Sequence, residues 1–334
     1  MKYKRLTALL SASILLLSGC SGLPRERSQT YTDTLFDTVI SVQIFDSVDE
    51  DVLKGCEKLC KKYDSMFSNK IEDSEISRIN SAGGNPVEVS KETIKLIKKG
   101  IYYSEMSDGA FDITIAPVSS LWDFKAETPS VPSPEAIAEA VSHVNYENII
   151  IRDNTVKLAD PQAGIDLGAI AKGYIADQIK DYLEEEGVRH AMINLGGNVL
   201  AMGSKLDGSD YNIGIQKPFS DRSETIAVMN ISDKSVVSSG IYERYFEKDG
   251  KIYHHILNPA TGYPYDNHLV SVTIISDKSV DGDGLSTSCF ALGLDKGMEL
   301  INSLPDVQAV FITDDYELHY SDGFEEEISM ADVK

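Results

Sequence analysis

From residue 148 onward the chain reads as short alternating stretches closed by tight turns, and nothing else in it constrains the fold as much. Residues 148–152 and 155–158 flank an Asp153-Asn154 turn, 191–195 and 226–237 read as further strands, and a hairpin turns at Lys248-Asp249-Gly250-Lys251. Strands joined this locally pair antiparallel, because a parallel pair needs a crossover of a dozen or more residues. Helical periodicity interrupts at residues 170–186 and 284–303. The expectation is an α+β fold of mixed, largely antiparallel sheets with packed helices, not a regular βαβ alternation.

The first half supplies more helix. Residues 35–45, LFDTVISVQIF, set Phe36, Ile40, Val42 and Ile44 on one parity and predict the first core strand. Val52, Cys56, Leu59, Tyr63 and Met66 then recur at three and four residues, predicting a helix that ends near Phe67. A polar connection covers 68–86. A second helix starts after Ser90 as N-cap, turns Ile94, Ile97 and Ile101 inward, and stops at Asp108-Gly109. After the proline-rich loop 128–134, Ser133-Pro134 reads as cap and first residue of a helix through Val144.

At the N-terminus, Lys2, Lys4 and Arg5 precede a largely apolar run from Leu6 to Leu17 and then Ser18-Gly19-Cys20. This is the pattern of a secretory signal peptide over 1–19, too short to span a bilayer, which takes roughly 20 residues. The small residues before Cys20 resemble a bacterial lipobox. Cys20 is then the lipidated residue of a cell-membrane protein on the extracytoplasmic face, with 20–30 as a short tether. Cys56, Cys60 and Cys289 remain and imply no disulfide framework. A formal charge of −22 argues against nucleic-acid binding. For such a chain, holding an anionic ligand calls for a divalent cation or a few placed donors.

Several segments combine groups suited to that task. Asp166 is read at a strand end, Gly168 at a junction, and Lys172 in the first turns of a helix whose start offers free N–H groups to an anion. The alternative is a capped helix with a solvated lysine. Asp283 and Thr287, four apart at the start of a predicted helix, put a carboxylate and a hydroxyl on one face, hard oxygens that suit Mg²⁺; equally, Asp283 reads as an acid complementing a helix start. His254 and His255 end a strand before the turn-forming Asn258-Pro259 and Thr261-Gly262. One of them is a candidate general base, or both are sheet histidines. The glycine-relieved turns at 109–112 and 194–198 allow a ligand close to the backbone.

Eight segments together resemble the ApbE family, the FAD:protein FMN transferases, in family order: FDT at 36–38, SEISRIN at 74–80, GAFDITIAPVSSLW at 109–122, DLGAIAKGYIAD at 166–177, INLGGN at 193–198, SSGIYERYF at 238–246, HHILNPATGYP at 254–264 and DGDGLSTS at 281–288. The resemblance implies a single ApbE-like domain over 31–334 that transfers FMN from FAD, its substrate, to a Thr or Ser hydroxyl of an extracytoplasmic acceptor protein, with Mg²⁺ as cofactor and release of AMP. It puts metal ligands at the Ala169 carbonyl, Asp283 and Thr287. Flavin and nucleotide contacts fall at Phe36, Lys70, Ala110, Phe111, Asp112, Asp166, Lys172 and Leu257, and His255 becomes the candidate base.

The chain departs from the family pattern in places. Phe36-Asp37-Thr38 stands for Met-Gly-Thr, Lys70 for an aromatic found in some relatives, Asn258-Pro259 for Asp-Pro, and Ser286 for a second acid. Two further readings use the same residues: an FAD pyrophosphatase giving FMN and AMP, and a non-enzymatic FAD-binding lipoprotein.

Overall fold

The computed structural model describes residues 28–221 and 223–331; the apolar leader and Cys20 lie outside them. Strand β1 (Gln29–Leu35) pairs with β2 (Thr38–Ile44) through a two-residue turn in which Phe36 and Asp37 both have positive φ, 54° and 61°. Two corrections follow. Strand β1 starts inside the segment read as a tether, and Phe36 is a turn residue, not part of the first strand.

Helix α1 (Glu50–Phe67) buries Val52, Cys56 and Tyr63 as the period predicts, but Cys60 and Phe67 are its other buried residues, and Leu59 and Met66 are only half-buried. Burial pushes both thiols up to about 12, so they behave as small apolar groups. The stretch 68–86 read as a connection contains helix α2 (Glu75–Ser81), capped by Ser74. After the two-residue β3 (Val87–Glu88), Ser90 caps α3 (Lys91–Met106), and its N–H and hydroxyl also reach the Glu75 carboxylate, tying α2 to α3. Short α4 (Ala116–Ser119) and α5 (Pro134–Val141) follow, then β4 (Ile149–Arg152), β5 (Thr155–Leu158) and α6 (Ala171–Glu185).

Beyond α6 lie β6 (Ala191–Leu195), β7 (Asn198–Met202), β8 (Tyr211–Gln216), β9 (Thr225–Ile231), β10 (Ser235–Gly240) and the hairpin β11 (Tyr245–Lys248) and β12 (Lys251–His254). The fully buried β13 (Leu269–Ser276), helices α7 (Ser279–Leu292) and α8 (Leu294–Asn302), strands β14 (Gln308–Thr313) and β15 (Leu318–Tyr320), the short α9 (Phe324–Glu327) and β16 (Ser329–Ala331) complete the chain. The expected strand 226–237 is two strands in different sheets, parted by a turn with Asp233 at φ 50°. The expected helix 284–303 starts five residues earlier and breaks at Gly293, φ 82°, a conformation that glycine adopts without strain.

The central sheet runs β1-β2-β6-β7-β10-β13-β14-β15, antiparallel at every pairing. It forms the main core with α1, α3, α6 and α7. A second apolar cluster of Val118, Trp122, Ile137, Phe246 and Leu257 lies under the β11–β12 hairpin. Among the described residues no helix is long and apolar enough to cross a membrane.

Candidate active site

The site forms where the start of α6 meets the second turn of α7. A Cβ on Gly173 would lie 2.2 Å from the Ser279 carbonyl oxygen, so only glycine allows the helices to approach this closely. The Gly173 N–H then donates to the Asp283 carboxylate at 2.5 Å. Gly173 is the third residue of α6, so its N–H is one of the first groups that a helix leaves without an internal partner. The Ala169 carbonyl, just before the N-cap Ile170, accepts no hydrogen bond among the described residues.

The other Asp283 oxygen accepts from Asn198 Nδ2 at 3.1 Å. Asn198 is itself fixed: Ser279 Oγ donates to its Oδ1 at 2.7 Å, and Ser235 Oγ donates to Ser279 at 2.8 Å. Asp283 is 5% exposed, and its hydrogen-bond partners are neutral. Burial pushes its carboxyl up from the ordinary range, opposed by the Lys172 ammonium and these two donors. The reading of Asp283 as an acid at a helix start is overturned, because α7 begins at Ser279 and the Asp177 carboxylate accepts its first N–H groups, from Ser279 and Val280. Thr287 lies one turn further along α7, its hydroxyl 3.0 Å from Ser239 Oγ, which is also 2.8 Å from Ser286 Oγ.

Lys172 is in the first turn of α6, and its ammonium donates to the Gly168 carbonyl at 3.3 Å. Its charge is felt at both Asp283 and His255, which brings the two predicted groups into one electrostatic neighbourhood. His255 follows β12. Its Nδ1 is 3.3 Å from the Arg244 carbonyl, a contact that assigns the ring proton to Nδ1 and leaves the Nε2 lone pair free. The ring keeps part of its surface open, yet burial and the nearby Arg244 and Lys172 charges hold its pKa down at about 3. His254 points the other way, buried, with Nε2 2.9 Å from the Tyr265 carbonyl.

The remaining predicted contacts divide by position. Phe36 and Lys70 come together through Asp37, which pairs with Lys70 and has Lys125 at 3.7 Å; the Arg244 charge acts on the same carboxylate. Asp166 is in a loop, not at a strand end, and accepts from Gly168 N–H at 2.9 Å and Ser119 Oγ at 3.1 Å. Phe111 is buried against Tyr103. The Ala110 carbonyl takes the Tyr265 hydroxyl at 2.8 Å. Asp112 is turned inward, holding Thr114 and the Tyr146 N–H. Leu257 is buried in the second cluster, where Trp122 Nε1 donates to the Gly262 carbonyl at 3.0 Å and fastens the turn. Sequence reading did not single out Asn198, Ser239 or Arg244 as individual residues; only the motifs that contain them were visible.

Mg²⁺ fits this donor set. It takes hard oxygens and keeps several waters, sharing its shell with substrate phosphates. A carbonyl without a partner, a buried carboxylate held by neutral donors and a hydroxyl one turn away are such oxygens. Among the described residues no three His, Cys, Asp or Glu side chains converge.

The fold and the site define an α+β protein that gathers a helix-start lysine, a buried carboxylate and a neutral histidine in one electrostatic neighbourhood. The ApbE family model matches residues 36–311. An FAD:protein FMN transferase of Klebsiella pneumoniae (strain 342) is 40% identical over 290 residues, which cover 86% of this chain and 90% of that protein. Among solved structures, the ApbE protein of Thermotoga maritima aligns with TM-score 0.82 and 30% identity, covering 90% of this chain and 99% of that one. The flavin transferase ApbE of Vibrio cholerae aligns with TM-score 0.80 and 27% identity over the same shares. This chain belongs to the ApbE family.

Proposed function

We propose that this protein is an FAD:protein FMN transferase that moves FMN from FAD onto a Thr or Ser hydroxyl of an acceptor protein through a phosphoester bond and releases AMP. One observation carries the reading. Gly173 gives its N–H to Asp283 where the unpartnered Ala169 carbonyl and Lys172 also lie, so that anion-binding and cation-binding groups meet at one helix start.

In phosphoryl transfer, positioning and charge neutralisation supply most of the catalysis. Lys172 adds a point charge to the pyrophosphate, and the N–H groups at the start of α6 favour the same anion. The Ala169 carbonyl, Asp283 and Thr287 would hold Mg²⁺, which would supply neutralising charge to the phosphates. The acceptor hydroxyl attacks the FMN-side phosphorus and the bond to the bridging oxygen breaks. His255 Nε2 takes the hydroxyl proton, while AMP leaves with the bridging oxygen. Arg244 and Lys70 add positive charge on the side of Phe36. Lipidation at Cys20 and an extracytoplasmic location complete the proposal.

The test mixes the protein with FAD, Mg²⁺ and a threonine-bearing acceptor domain, following flavin fluorescence on a denaturing gel together with AMP. Fluorescent acceptor and stoichiometric AMP are expected. AMP without labelled acceptor would favour the pyrophosphatase, and a stable, metal-independent FAD complex with neither product would favour the carrier.

A further inference from the structure

Lys172 occupies one side of α6, and about half a turn round the helix Tyr174, Asp177, Gln178 and Asp181 face a separate groove of about 450 Å³. Its other walls are Lys95, Lys98, Lys99 and Tyr102 of α3, with Lys278, Val280 and Asp281 at the start of α7. In a chain with 53 acidic and 31 basic residues, the charges in this groove are unusual in which sign is left over.

Each acid here has a hydrogen-bond or ion-pair partner, and the Lys278 charge also acts on Asp177. Asp177 accepts the Ser279 and Val280 N–H groups, Asp281 binds Lys99 at 2.6 Å and the Tyr103 hydroxyl at 2.5 Å, and Asp181 accepts from Gln178 at 3.2 Å. The Lys98 and Lys278 ammonium groups form no hydrogen bond or ion pair among the described residues. Lys95 has only the Tyr174 ring, 5.5 Å away. The Tyr102 and Tyr174 hydroxyls likewise have no hydrogen-bond partner among the described residues. Four lysines against three aspartates leave the lining one positive charge in excess, and with two phenols they converge on one concavity of ligand size.

A smaller slot of about 140 Å³ adjoins it, sharing Lys99, Tyr102 and Asp281 but otherwise lined by Tyr103, Met106, Leu285, Leu304 and Val307 together with Pro305. A polar, cationic compartment opening into an apolar slot selects for a ligand with the same two parts. We propose that this groove binds a phosphate-bearing small molecule. The phosphate lies against Lys95, Lys98 and Lys278, and an apolar or ring portion reaches the slot beside Met106 and Leu304. A nucleotide and an anionic phospholipid both have that chemistry. The site faces away from Lys172 and is independent of the transfer reaction proposed above.

Calorimetric titration with ADP and, separately, with short-chain phosphatidylglycerol tests this on the unmodified protein, Asp283→Ala and Lys98→Glu/Lys278→Glu. Both lysines are exposed, so the double variant keeps the fold; its circular dichroism and melting temperature check this, and Lys98→Gln/Lys278→Gln is the milder control. Saturable binding of at least one probe is expected, weakened roughly tenfold or more by the double variant, since it removes charge-assisted contacts, and unchanged in Asp283→Ala. Which probe binds names the source. No saturable binding, or binding that the double variant keeps and Asp283→Ala loses, overturns the proposal, and neither result depends on whether flavin is transferred.

Discussion

Gly173 holds its N–H 2.5 Å from the Asp283 carboxylate, and it does so because nothing projects from its Cα toward Ser279. One missing side chain thus sets helix packing and site geometry together. Gly173→Ala is expected to push α6 and α7 apart, costing about 1–3 kcal/mol as overpacking does and breaking the bond to Asp283. Chemical denaturation reads the first effect, and the rise in melting temperature on adding Mg²⁺ reads the second. A variant as stable as the parent, with an unchanged Mg²⁺ response, would remove Gly173 from both roles.

Asn198 orients Asp283 while itself held by Ser279. Asn198→Ala strands a buried carboxylate oxygen and a buried hydroxyl, at about 1–3 kcal/mol, and is expected to weaken Mg²⁺ binding about 10–100-fold, as loss of a ligand's supporting partner does. Asp283→Ala should go further and abolish the Mg²⁺-dependent stabilisation. If Asn198→Ala lowers stability but leaves Mg²⁺ affinity intact, Asn198 supports the core and not the ligand.

The spacing of Asp283 and Thr287 and the placing of Lys172 after Gly168 are local patterns that made them candidates, and the motifs around them, not the spacing, singled them out. The true start of α7 was not legible, since Ser279 is capped by Asp177 from a hundred residues away and leaves no mark nearby. Asn198 escaped for the same reason: its role exists only once β7 and α7 are packed. β1 was passed over because its outward positions are Thr30, Thr32 and Thr34 and its inward ones include Gln29 and Asp33, a strand read by pairing and not by hydrophobicity. Only Ile76 and Ile79 mark the buried face of α2, too few for a period.

His255→Ala is expected to leave FAD binding nearly intact and to slow transfer by about 10²–10⁴-fold, the usual contribution of one placed base. The pH profile carries a sharper sign. A pKa lowered to about 3 leaves Nε2 free at every pH above that value, so protonation of His255 removes activity only as pH falls toward 3. The acid limb of the rate profile should lack a histidine step near pH 6.5. Finding such a step in the parent and losing it in His255→Gln would place the base at an ordinary, solvated imidazole.

His254 and Asp177 oppose each other in acid. His254 is buried and neutral, with Nε2 against the Tyr265 carbonyl and Nδ1 accepting the Ile256 N–H at 3.3 Å, so a second proton has nowhere favourable to go and its pKa falls to about 4. Its contribution to stability is full above the unfolded value of about 6.5 and is lost as pH falls toward 4, by up to about 3 kcal/mol. Asp177 runs the other way. Burial raises its carboxyl to about 6, so the cost of its charge is present above 6 and is relieved as pH falls toward the unfolded value of about 4. Urea unfolding between pH 7 and 4 should show a shallow dependence from this pair in the parent. In His254→Gln, whose amide can still donate to Tyr265, stability should rise relative to the parent on acidification, whereas Asp177→Asn should lose stability faster than the parent over the same range. Three parallel curves would mean that neither group titrates in that window.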